Sequence, residues 1–163
     1  MVVRQEETAV GEYFRIVNLD KRQFFEGHSL NLSGKFSNLH REPLSSMLVW
    51  VLTKTTHSDR PQFRGTWDGD RIVIAGDEGE HRDVFEQSDD YQDISVPLIE
   101  EWLDLDPSRG IDYWQRGLVD DDGRFVLDSQ VREEQAAQRK EARYPYEKWE
   151  ARLNSRCGGP PGA

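Results

Sequence analysis

Four histidines, one cysteine and 31 carboxylates are the side chains of this 163-residue sequence with the chemistry to hold a metal or move a proton. The histidines (His28, His40, His57 and His81) lack the H-E-x-x-H spacing that sets two imidazoles on one helix face, and a lone Cys157 cannot build a thiolate zinc site. Cys157 also sits beside Gly158-Gly159, so a Cys–His pair would need a glycine-flanked tail to be held in place. Asp77 is more suggestive. It ends the run Ile72-Val73-Ile74-Ala75-Gly76, and a hydrophobic strand ending in Gly-Asp is one way to present a metal-bridging carboxylate. Two hard metals need further His and Asp ligands, and nearby only His57-Ser58-Asp59 and His81-Arg82-Asp83 offer them. A strand followed by a polar turn is the preferred reading. Gly76-Asp77-Glu78-Gly79 is no phosphate loop either, because its two carboxylates repel phosphate and no Lys-Ser/Thr follows. Asp120-Asp121-Asp122-Gly123 invites calcium. With Gly123 at the sixth position of an EF-hand loop, Leu118 falls at the first and Ser129 at the twelfth, where Asp and Glu are required. A looser site at Asp120 and Asp122 ranks below a solvated turn. With no G-x-S-x-G elbow, no catalytic constellation survives and no cofactor is called for.

Charge narrows the classes further. The formal net charge is −10, and residues 77–128 carry 17 acidic against 4 basic residues, a local balance of −13. Phosphate contacts need clustered Lys and Arg, so nucleic acid and anionic membrane are excluded as general partners. The longest apolar run, Met47 to Leu52, is six residues, against about 20 for a membrane span. The first ten residues also lack the apolar stretch of a secretory signal. The expected setting is the cytoplasm.

These side chains must be positioned by elements the pattern partly reveals. Tyr13–Val17 and Gln23–Phe25 are β-prone runs around Asn18-Leu19-Asp20-Lys21, which predicts a hairpin. Gly27–Pro43 is expected to be mostly loop. Leu44–Lys54 repeats apolar residues at i, i+1, i+4 and i+5, favouring a buried helix over a central strand. Asp68-Gly69 between Phe63–Trp67 and Arg71–Ala75 predicts a second hairpin with a positive φ at Gly69. A helix is expected from Ser95 as N-cap, with Glu100 and Glu101 suiting its early turns and Pro107–Gly110 ending it. Tyr113-Trp114 and Phe125–Leu127 flank Asp120–Gly123 as a further hairpin candidate. Residues 129–143 are good helix formers with little to bury. After Pro145, Tyr146, Trp149 and Leu153 recur at i, i+3 and i+7 as an apolar stripe on a polar helix, the candidate binding residues of the chain.

The stretch Glu12 to Arg22, the stretch Gly65 to Asp77 and Tyr91–Ser95 together resemble a family of small uncharacterised bacterial and fungal proteins. The resemblance spans roughly residues 11–104 and implies domain limits but no activity. The expected architecture is α+β: one domain over residues 11–127, built of antiparallel β-hairpins packed with two core helices. A helical extension follows over 128–157, then a flexible tail over 158–163. The expected function is a non-enzymatic intracellular protein–protein interaction module with an acidic surface, binding a protein partner or a second copy of itself. Behind it stand a metal-dependent hydrolase using Asp77 and neighbouring carboxylates, and an acidic inhibitor or immunity-type protein covering a basic surface.

Overall fold

The computed structural model of the protein describes residues 12–54 and 61–156. In chain order its elements are β1 (Phe14–Asn18), β2 (Gln23–Phe25), α1 (Phe36–Leu39), α2 (Leu44–Leu52), β3 (Ile72–Gly76), α3 (Arg82–Gln87), β4 (Gln92–Asp93), α4 (Ser95–Leu105), α5 (Pro107–Gln115), α6 (Ser129–Arg139) and α7 (Tyr146–Arg156). A single sheet runs in the order β3-β1-β2-β4, antiparallel except for the β2–β4 pair. The class is α+β, as expected.

The first hairpin forms where the turn chemistry put it. Asn18 is buried, and its Oδ1 accepts hydrogen bonds from the backbone N–H of Asp20 (3.0 Å) and Lys21 (2.9 Å), an Asx turn that aligns Ile16 with Phe25. The predicted helix over Leu44–Leu52 is also present, with Leu44, Met47 and Val51 facing the core. Ile16, Phe25, Trp67, Leu98, Ile99 and Trp102 complete that core on one side of the sheet. The other side is thinner: Val17, Phe24 and Ala75 lie under Val84 and Phe85 of α3. Arg15 is wedged there, its guanidinium 4.6 Å from the Phe24 ring centre and 4.3 Å from that of Phe85, and bonded to Glu26, Ser88 and Asp89. With its charge and donors met, a buried cation is tolerated.

Three expectations need correction. Phe63–Trp67 is not a strand. The backbone N–H groups of Gln62, Phe63 and Arg64 all donate to the Glu101 carboxylate, which withdraws them from any ladder. Trp67 is then buried against Phe25, its N–H bonded to the Val51 carbonyl at 2.9 Å. Gly69 does adopt φ +82°, yet the turn it makes leads β3 onto β1 rather than back onto its own predecessor. Second, α4 does stop at Leu105, just before Pro107, but Pro107–Gly110 is itself helical: Pro107 opens α5, where its missing N–H costs nothing and Asp106 caps Arg109 N. Tyr113-Trp114 therefore lies on that helix, and only an isolated Val119–Phe125 bridge remains of the third hairpin. Third, Ser95 is the first residue of α4 and not its cap. Asp93 accepts its N–H, while its own hydroxyl accepts from Glu26 N and ties the helix to β2.

The extension is joined to the core by arginines. Arg139 of α6 donates to the carbonyls of Trp114 (3.0 Å) and Val119 (2.7 Å) and to Asp121, and stacks over the Trp114 ring. Arg132 reaches the carbonyls of Val126 and Leu30. Long side chains thus supply the cover that this polar helix lacks in apolar residues.

Candidate functional site

β3 is an outer strand, and the geometry of its ladder decides which of its groups are available. At one end Leu19 N–H donates to the Arg71 carbonyl (3.0 Å); at the other Asp77 N–H donates to the Tyr13 carbonyl (3.0 Å). Hydrogen-bonded pairs alternate in an antiparallel ladder, so Val73 and Ala75 also turn their backbone groups towards β1. Ile72, Ile74 and Gly76 consequently turn theirs outwards. Among the described residues nothing pairs with them. Gly76 is buried beneath Glu12 and Phe14, which leaves Ile72 and Ile74 as the open positions. Ile74 is 46% exposed, and Phe36, packed edge-on against Phe14 at 5.7 Å, is 67% exposed. An exposed β-branched edge of this kind is a template for a further strand.

The two ends of this edge differ in charge. At the Ile72 end the charges are paired: Arg71 with Asp20 at 2.7 Å and Lys21 with Asp70 at 2.6 Å. The hydrogen bond from Arg71 holds the Asp20 carboxyl below its ordinary range, and those from Asn18 and then Lys21 do the same for Asp70. At the Gly76 end Glu78, Glu80 and Asp83 are exposed. Arg82 lies among them but is held by Glu86 at 2.8 Å, a hydrogen bond that raises its guanidinium pKa further, with Asp77 and Glu78 adding to the shift. The open strand therefore leads into an acidic rim.

The carboxylates singled out for metal chemistry have structural duties and are not brought together. Asp77 Oδ1 accepts Tyr13 N–H at 3.0 Å and so closes the β1–β3 ladder. Asp120 Oδ1 accepts the N–H of Asp122 and of Arg124, both at 2.9 Å, which shapes the loop between the paired Val119 and Phe125. Among the described residues no group of three His, Cys, Asp or Glu side chains is placed to hold an ion. His57 and Cys157 lie outside the described residues. In the aromatic stripe, Trp149 Nε1–H donates to the Asp104 carbonyl at 2.8 Å and the ring is half-buried on α4. Tyr146 remains exposed with its ring against Tyr144, and the side chain of Leu153 lies outside the described residues. The Asp68-Gly69 pattern pairs Arg71–Ala75 with Phe63–Trp67, an arm that is not a strand, and so conceals the outer face of β3. The unbroken Ile-Val-Ile run, with no polar alternation, was its one visible signal.

No family model, curated protein or solved structure matches this chain, so the resemblance to a bacterial and fungal family rests on its motifs alone.

Proposed function

We propose that this chain is a non-enzymatic, cytoplasmic protein–protein interaction module that accepts an extended, basic segment of a partner along β3. The observation that carries the reading is the pair of outward-facing backbone positions at Ile72 and Ile74, flanked by exposed Ile74 and Phe36 and by an acidic rim. Strand addition draws affinity from main-chain hydrogen bonds and specificity from the side chains that alternate along the strand. A second copy of the chain fits this edge poorly, since each copy carries a net charge of −10 and the acidic rims would be brought near one another. A partner strand alternating apolar and basic residues meets both features. An inhibitor that covers a basic surface would use the same edge.

The test uses a fluorescein-labelled peptide alternating valine and lysine, with a valine–glutamate peptide as control, read by anisotropy. The expected result is saturable binding of the basic peptide alone, weakened near 1 M salt where the screening length falls to about 3 Å. Ile74→Pro removes an outward N–H and no bond to β1, so the fold should persist while binding is lost. Equal binding by the parent and Ile74→Pro would show that the edge is not the site.

A further inference from the structure

A second feature, independent of the β3 edge, lies between α2 and α4. A cleft of about 370 Å³ opens there, walled by Val49, Trp50 and Trp102, with Arg64 and Asp106 in its lining and Ser45 and Ser46 along it. Its volume falls in the range of small-molecule sites, roughly 300–1,000 Å³. A cavity of about 150 Å³ already accommodates benzene, so a ring and a short arm fit.

Arg64 is the unusual member. Its guanidinium lies 4.7 Å from the Trp50 ring centre, and its Nε is buried without a hydrogen-bond partner. The other half-buried or buried arginines among the described residues are bonded to carboxylates or carbonyls: Arg15 to Glu26, Arg132 to Leu30, Arg139 to Val119 and Arg152 to Asp121. Arg64 has no side-chain hydrogen bond or ion pair among the described residues. Its neighbours nevertheless set its place. Its backbone N–H donates to Glu101 Oε1 at 3.0 Å, and Trp50 Nε1–H donates to the same oxygen at 2.9 Å. One buried carboxylate therefore fixes both the arginine's backbone and the ring it stacks on, while the guanidinium meets no acceptor among the described residues. A buried donor without an acceptor is costly, and a guanidinium already stacked on a ring loses little entropy when an acceptor meets its terminal nitrogens.

We propose that this cleft binds a small organic monocarboxylate with an apolar or aromatic body. The carboxylate accepts from the Arg64 fork, the planar match that guanidinium makes best. The body lies on Trp50, Trp102 and Val49. Asp106 in the same cleft, on a chain of net charge −10, opposes phosphates and dicarboxylates.

The probes are 3-phenylpropionate and its neutral amide, titrated against the full chain while the indole N–H and arginine Nε–H resonances are followed by NMR. The acid should shift the Trp50 and Arg64 signals saturably at millimolar concentrations or below. The amide should bind at least about tenfold more weakly, the loss of one charge-assisted pair. Arg64→Gln should weaken the acid by a similar factor and leave the amide unchanged. Because the Arg64 side chain forms no hydrogen bond among the described residues, that variant should stay folded, with its Tm as the check. Arg64→Lys keeps the charge without the fork and should fall between. Equal affinity of acid and amide, equal affinity of the parent and Arg64→Gln, or no saturable shift in the parent would each overturn the assignment. None of these outcomes depends on strand addition at β3.

Discussion

Glu101 shows how far a residue's duty can differ from what its position in the sequence suggests. In a capped-helix pattern it is one of two acids suited to the early turns of α4. In the fold it is 1% exposed and accepts from Trp50 Nε1 and from the backbone N–H of Gln62, Phe63 and Arg64. A carboxylate is acceptor-only, and four donors converge on its two oxygens. Glu101→Gln places an amide N–H₂ against those donors and leaves at least one of them unmatched. The expected loss is about 2–4 kcal/mol in denaturant unfolding, with faster amide exchange at Phe63 and Arg64. A change below about 0.5 kcal/mol would mean that the loop over residues 62–64 is held by something else.

At the scale of elements, two glycines separate a turn that needs only a backbone conformation from one that also needs room. Gly69 has φ +82° with nothing within 4 Å of an added Cβ. Gly117 has φ +74°, and an added Cβ would collide with the backbone of Arg132 at the start of α6. Gly69→Ala should therefore cost about 1 kcal/mol, the conformational penalty alone. Gly117→Ala should cost clearly more, because α6 must shift as well. Equal losses in thermal unfolding would contradict this packing of α6. The positive φ at Gly69 and the strand after it were legible from Asp-Gly and the Ile-Val-Ile run, but the partner of that strand was not. Turn chemistry is local, whereas strand pairing depends on which partner remains free once Glu101 has taken the amides of residues 62–64.

For the whole molecule, the helical extension is the point where composition misleads most. Residues 129–143 have little to bury, and a helix of that length is marginal alone. Yet Arg132 and Arg139 of α6 and Trp149 and Arg152 of α7 are bonded to carbonyl groups of Leu30, Trp114, Val119, Asp104 and Asp121. Removing residues 129–163 should cost at least about 2–3 kcal/mol in chemical denaturation, since it uncovers the Trp114 ring and strips these carbonyls of their donors. An unchanged midpoint would make the extension separable and return the Tyr146 stripe to consideration as a docking surface.

What depends on neighbours along the chain is legible without the fold: the first hairpin through Asn18, the helices α2, α4 and α6, the positive φ of Gly69 and the class of the fold. Their signals are periodicity, capping and turn chemistry, and each acts within a few residues. Tertiary structure decided everything that depends on groups 37 or more residues apart meeting. β3 joined β1 rather than Phe63–Trp67, which left the backbone edge at Ile72 and Ile74 without a partner among the described residues. Glu101 met the loop at 62–64, which set Arg64 above Trp50 with no side-chain hydrogen bond among the described residues. Both surfaces are made of groups left over among the described residues after the buried donors and acceptors have found partners, and no local pattern records which groups those will be.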